Sequence, residues 1–309
     1  NTEHSIMDPA SCPMHAVLRD MEPLVNSHCN VFQIETVTNN MVWPFPLDRI
    51  MGYVRPDRGA QGPGALRRTA LAAASLAPDA VKAWVRTNLI RSAYRPVAIH
   101  AGDGAAVHAK TLEILFSQQN VPVDGQSDIV IYGVPNLSPY SALSVFNPIL
   151  LRSLVMGYLV GLFRGMPLVR DGGVIVAYNP GIARFSQRHH PAYIDFWEHH
   201  LPEYEDPVRC WEELAGRYAD DPRYTRLYRD EFAYHGTHGL INWMWSGMGM
   251  RHVRAVILAG AKEPHTARKL GFIPEPDLSR AIDHAREMTC RDARITYQVV
   301  PPLFCVDVT

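Results

Sequence analysis

Apolar and polar residues alternate along Val31-Phe32-Gln33-Ile34-Glu35-Thr36-Val37 as they do in a half-buried strand, and the preceding stretch, Ser11 to Val25, has helical spacing. Two prolines and three glycines between Arg55 and Gly64 mark a loop. Ala65 to Ile90 is alanine-rich with helical spacing. Val97-Ala98-Ile99-His100 reads as a short strand, and Gly102-Asp103 after it as a turn and N-cap for a helix over Ala105 to Ser117.

From Asp128 the pattern changes. Asp128 to Gly133, Gly172 to Tyr178 and His252 to Ala259 are compact apolar runs, the signature of strands buried on both faces of a parallel sheet. Helical segments are expected over Ser141 to Val160, Ala192 to His200, Val208 to Tyr218, Thr266 to Leu270 and Leu278 to Glu287. This alternation predicts an α/β chain with parallel-rich, Rossmann-like sheets flanked by helices, and a length of 309 residues predicts two domains. The tail, Arg294 to Val308, returns to strand character with no helix after it, and is expected to pack back on the first domain. The expected domains are therefore residues 1–122 plus 294–309, and residues 123–293.

Composition narrows the class. Of 309 residues, 47% are hydrophobic and 20% charged, which excludes a disordered or fibrous chain, and a net charge of −1 gives no global field for nucleic acid or an anionic membrane. The longest apolar stretch, Asn147 to Phe163, contains Arg152 and two glycines and falls short of the ~20 residues a membrane span needs. The five cysteines are scattered and form no CxxC pair, which fits reduced thiols in the cytoplasm. The chain opens on Asn1, not Met, and a truncated or processed start is expected.

In a doubly wound sheet, ligands bind beyond the carboxyl ends of the strands. After Ile131 the chain carries Asn136, Ser138, Tyr140, Ser141 and Ser144, which serve either as an ordinary cap and turn or as a polar set whose helix amides favour an anion. The segment after Val176 carries Arg184, suited to holding a carboxylate or simply solvated, and the adjacent His189 and His190. Adjacent histidines diverge in most backbones, which argues against a shared metal. Tyr234-His235-Gly236-Thr237-His238 places two imidazoles three apart, on one face if the segment is helical. Such a pair suits metal binding or acid–base work, and equally a satisfied buried histidine beside aromatic packing. No GxGxxG follows a strand, and neither a P-loop nor a GxSxG elbow occurs, which disfavours dinucleotide, NTP and serine-hydrolase chemistry.

Several segments in order resemble the nickel-pincer lactate racemase superfamily. They are Asp8-Pro9 with Pro13 and Arg19-Asp20-Met21, Thr36 to Asn40, Ala101-Gly102-Asp103 with Val107-His108, Ser127 to Ile131, and Ala267 to Phe272. A branch of that family is matched more closely by Ser138-Pro139-Tyr140, Asn147-Pro148, Arg164-Gly165 with Pro167-Leu168-Val169, His189-His190-Pro191 and Tyr234 to His238. The resemblance covers nearly the whole chain. It implies a two-domain α/β isomerase, a racemase or epimerase of a 2-hydroxy acid, in which a nickel pincer nucleotide accepts a hydride from the α-carbon while histidines exchange the hydroxyl proton.

The chain departs from that family in two places. The pincer lysine of the Gly-Gly-x-Lys context precedes the matched region, and no glycine-lysine pair occurs here, so the cofactor is not expected on this chain alone and no metal ligand is assigned. Where the family carries a glutamine and a lysine after the matching Tyr140, this sequence has Ser141 and Ser144. The expected site is a cleft wall of Asn136, Ser138, Tyr140, Ser141 and Ser144, with Arg184, His235 and His238 as further candidates, taking a small 2-hydroxy acid or related ligand. The rival readings are a paralogue with other chemistry and a non-catalytic binding or partner subunit.

Overall fold

The computed structural model describes residues 13–39, 69, 73, 76–88, 95–136, 138, 140, 145–298 and 305–309. The chain divides into two compact units, residues 18–119 and residues 1–17 with 120–309.

In the smaller unit, strands β1 (Gln33–Asn39) and β2 (Arg95–Gly102) pair antiparallel, and helix α3 (Gly104–Gln119) packs against both. Helices α1 (Pro13–His28) and α2 (Asp79–Asn88) precede β1 and β2 respectively. The turn into α3 matches the expected one: Gly102 has φ +143°, and Asp103 accepts the Ala106 amide. The alternation in β1 faces the opposite way from that of an ordinary half-buried strand. Ile34 is 64% exposed, while Glu35 turns inward to His108 of α3 at 3.1 Å.

The larger unit is built on a parallel five-stranded sheet in the order β8 (Ile273–Glu275), β7 (Ala255–Ala259), β6 (Val169–Tyr178), β4 (Ser127–Gly133), β9 (Ile295–Gln298). The α/β class with a parallel sheet flanked by helices is thus as expected. The three apolar runs became β4, β6 and β7 because both their faces are covered. On one face Val130, Tyr132, Ile175 and Leu258 meet helices α4 (Pro148–Arg152), α5 (Pro191–His199), α6 (Pro207–Asp220), α7 (Pro222–Asp230) and α8 (His238–His252) in a large core. On the other, Ile129, Ile131, Val174 and Val176 meet Ala281 and Ala285 of α10 (Leu278–Met288). Helix α9 (Pro264–Lys269) links β7 to β8.

Two expectations are corrected. The tail does not return to the first unit: β9 runs beside β4 with Val130 opposite Thr296, and β10 (Cys305–Val308) pairs with β3 (Asn120–Val123) and β5 (Phe163–Gly165). After α10 crosses the sheet, β4 offers an open edge, and backbone amides of β9 find partners there. The helix expected from Ser141 starts at Pro148, because the Asn147 side chain caps it and proline fits the first helical position. It then passes into a π-helical turn, Ser153–Tyr158. Ser141 and Ser144 lie outside the described residues.

Candidate functional site

The loops leaving β4, β6 and β7 at their carboxyl ends are tied together by backbone and side-chain bonds. Asn179, buried at the end of β6, donates to the Val134 carbonyl at 3.0 Å and accepts the Gly181 amide at 2.9 Å. Glu263, after β7, accepts the Ala183 amide at 2.8 Å. These ties hold the strand ends together, and a cluster of phenols and imidazoles belongs wholly to the same larger unit.

Tyr140 is the cluster's outer member, 40% exposed, and its ring meets His238 edge-on at 4.7 Å. Its hydroxyl donates to Asn242 Oδ1 at 3.0 Å and lies 3.2 Å from the Tyr158 hydroxyl. The π-helical turn brings Tyr158 to this position, where its ring stacks on Trp245 at 5.4 Å. Gly157 permits the approach, since a Cβ there would lie 1.9 Å from Trp245. Asn242 Nδ2 donates to the Tyr193 hydroxyl at 3.1 Å and to the His238 carbonyl at 2.9 Å, and the Tyr193 hydroxyl is 2.6 Å from His238 Nδ1. Tyr193, Asn242 and His190 are buried. Tyr234 packs between His190 and His238, 5.2 and 5.0 Å from their ring centres, and its buried hydroxyl has no hydrogen-bond partner among the described residues.

Burial sets the charge of this cluster. Desolvation pushes His190 down to about 3, and desolvation with the neighbouring His235 pushes His238 down to about 4, so both rings are neutral near pH 7. His190 Nδ1 accepts the Ser186 amide at 3.1 Å, which a protonated ring could not do. Burial also raises Tyr140 and Tyr193 above the ordinary phenol value. The result is a set of neutral donors and acceptors in low-dielectric surroundings, where each hydrogen bond is stronger than in water.

Of the residues singled out from the sequence, the fold brings Tyr140 and His238 together. Asn136 and Arg184 are exposed on the loops after β4 and β6, and Ser138 is half-buried beside Tyr140 in sequence. His235 and His238 do not share a helix face. The helix begins at His238, and His235 sits in the turn before it, exposed, with Nδ1 accepting the Thr237 amide and its ring against Tyr228. Gly236 breaks the segment because its backbone runs against Tyr218, where a Cβ would lie 2.1 Å from the carbonyl oxygen. Sequence reasoning missed Tyr158, Tyr193 and Asn242, and named Tyr234 only as the first residue of the Tyr234 to His238 segment. The i+4 spacing of Asn242 from His238 was the one available signal for it.

No family model matches the sequence, and no curated protein sequence matches it. Among solved structures the chain is similar to the lactate racemase apoprotein from Thermoanaerobacterium thermosaccharolyticum, at 18% identity and a TM-score of 0.41, over 70% of this chain and 44% of that one. It is also similar to a Thermotoga maritima protein solved as a structural-genomics target, at 14% identity and a TM-score of 0.37, over 70% and 46% of the two chains. The chain thus spans less than half the length of either.

Proposed function

We propose that this chain supplies the substrate-binding, proton-handling wall of a racemase or epimerase acting on a small 2-hydroxy acid, the chemistry implied by its sequence resemblance to the lactate racemase superfamily. The observation that carries the reading is the neutral His238 ring, held by Tyr193 at 2.6 Å beside the partly exposed Tyr140. An imidazole that stays neutral near pH 7 hydrogen-bonds the C2 oxygen of such a ligand without adding a fixed charge. Tyr140, whose own hydrogen goes to Asn242, offers its oxygen from the same side as an acceptor for the ligand hydroxyl, and the rings of Tyr193 and Tyr234 exclude water behind it.

The described residues do not fit a nickel pincer nucleotide. The cluster contains imidazoles, phenols and a carboxamide, with no lysine or thiolate to attach that group. Lys110 pairs with Glu113, and the Lys269 ammonium lies over the Trp197 ring. Among the described residues no three His, Cys, Asp or Glu side chains are placed to share a metal. The chemistry assigned to this chain is therefore that of its own side chains: orienting the ligand and holding a proton at the C2 oxygen.

Calorimetric titration of the chain with 2-hydroxy acids of increasing side-chain length, and with the matching 2-oxo acids, tests the reading. Saturable binding that weakens at least tenfold in His238→Gln and in Tyr140→Phe is expected. A folded chain that binds none of the panel, or binds it equally well in both variants, refutes the site.

A further inference from the structure

The structure assigns Asn242 as a positioning residue that fixes His238 in the Nε2–H tautomer, so that the ring meets a ligand as a hydrogen-bond donor and not as a base. This inference rests on reading His238 as the ligand-facing group, but its argument uses only the chain's own hydrogen bonds.

It begins at a group with no choice of role. The His238 backbone carbonyl can only accept, so the Asn242 atom 2.9 Å from it must be the amide nitrogen. That settles the orientation of the carboxamide, which is otherwise ambiguous. The second Nδ2 hydrogen then goes to the Tyr193 oxygen at 3.1 Å, and Oδ1 is left to accept from Tyr140 at 3.0 Å. Tyr158, 3.2 Å from Tyr140, donates into the same chain, because the Tyr140 hydrogen is already committed.

Tyr193 is fully buried, so its hydroxyl hydrogen needs an acceptor, because an unpaired donor there keeps its full desolvation penalty. Its oxygen is already an acceptor toward Asn242. Among the described residues the acceptor for its hydrogen is His238 Nδ1 at 2.6 Å. A ring nitrogen that accepts carries no proton, and in a neutral imidazole the proton is then on Nε2. The backbone of His238 thus sets, through Asn242 and Tyr193, the tautomer of its own side chain. For ligand chemistry the consequence is specific: Nε2–H polarises a carbonyl or steadies a developing alkoxide. Accepting the proton of a ligand hydroxyl would require the opposite tautomer and the reversal of two buried bonds.

Nitrogen-15 NMR of histidine-labelled full-length protein at pH 7 reads the tautomer directly through nitrogen–proton couplings, with His238 assigned by its loss in His238→Gln. The wild type is expected to show Nδ1 unprotonated and Nε2 protonated. Asn242→Asp places an acceptor-only group against Tyr193, which turns the hydroxyl around and moves the proton to Nδ1. Tyr193→Phe, which keeps the ring packing, is expected to release the preference to a mixture of tautomers. A wild-type ring protonated at Nδ1, or a folded Tyr193→Phe with the tautomer unchanged, overturns the inference. These spectra are recorded without ligand, so a failure to bind 2-hydroxy acids leaves this test intact, and an unexpected tautomer leaves the binding result intact.

Discussion

Two polar clusters, one in each unit of this protein, are built on opposite principles. In the larger unit, Tyr140, Asn242, Tyr193 and His238 form a chain of neutral hydrogen bonds above a core in which Trp243 is 1% exposed. In the smaller, Glu35 of β1 meets His108 of α3 at 3.1 Å, with side chains 18% and 41% exposed, and Gln33 also donates to Glu35. Burial alone would raise Glu35, but the hydrogen bonds it accepts, those from His108 and Gln33 among them, outweigh it and hold the carboxyl below its ordinary range. Depth decides which chemistry persists. Where water is excluded, ionisation is too costly and the imidazoles stay neutral; where water still reaches the pair, a carboxylate survives.

The largest expected effect strikes the core at Trp243, the residue after Asn242 on α8. Trp243 packs on Phe196, lies under the Arg152 guanidinium at 3.6 Å and donates to the Tyr204 carbonyl. Trp243→Ala is expected to cost about 3–5 kcal/mol in denaturant unfolding, since it opens a cavity and uncovers a buried cation. Hydrogen exchange in β1 and α3 should be unchanged, and an equal loss of protection there would dissolve the distinction between the clusters.

Tyr193→Phe comes next, at about 1–3 kcal/mol, because it strands an Asn242 donor and a His238 acceptor in a buried site. A cost near zero would mean that water replaces the hydroxyl and that the cluster is wetter than its burial indicates.

Acid separates the two by window. The folded values of about 3 for His190 and about 4 for His238 lie below the ordinary 6.5, so below pH ~6.5 the unfolded chain binds protons that the folded chain does not. Their contribution is full above pH ~6.5 and is lost as pH falls toward 4 for His238 and toward 3 for His190. Glu35, lowered from 4.5, contributes above that pH and loses its contribution only below it. Denaturant midpoints measured from pH 7 to 4 should fall less steeply in His238→Gln than in the wild type; parallel curves would contradict the assignment.

The smallest effect is expected from His108→Gln, about 0–1 kcal/mol and weaker still in high salt, because the pair is partly solvated. A salt-independent loss would place Glu35 deeper than its exposure indicates.

Much of this arrangement was legible in the sequence, for reasons that differ by element. The runs at Asp128, Gly172 and His252 led to β4, β6 and β7 because a strand covered on both faces needs apolar residues at nearly every position. Strand β9 was recognisable as extended but not by partner: Ile295–Gln298 carries no mark of which edge it joins, and only the crossover of α10 brings it to β4. The start of α4 is written in Asn147-Pro148, a cap followed by a first-turn proline, which outweighs the helical periodicity that runs back to Ser141. In the site, Tyr140 and His238 stood out by residue type. Tyr193 and Tyr158 did not, because a buried tyrosine in an apolar helix looks like core until its hydroxyl is seen to have a destination.

The position of β9 has a further consequence for how the chain comes to be folded at all. Asp128, at the start of β4, is bonded to Arg294, 166 residues later. At roughly 5–20 residues per second, a nascent chain would carry β4 with one edge unpaired for about 10–30 seconds after it leaves the ribosome. An exposed edge of that apolar character invites pairing with other chains, and the wait adds a late, long-range closure to a topology already slow to assemble. Recovery of soluble protein should therefore depend on synthesis rate and on holding chaperones more than the stability of the finished sheet would indicate.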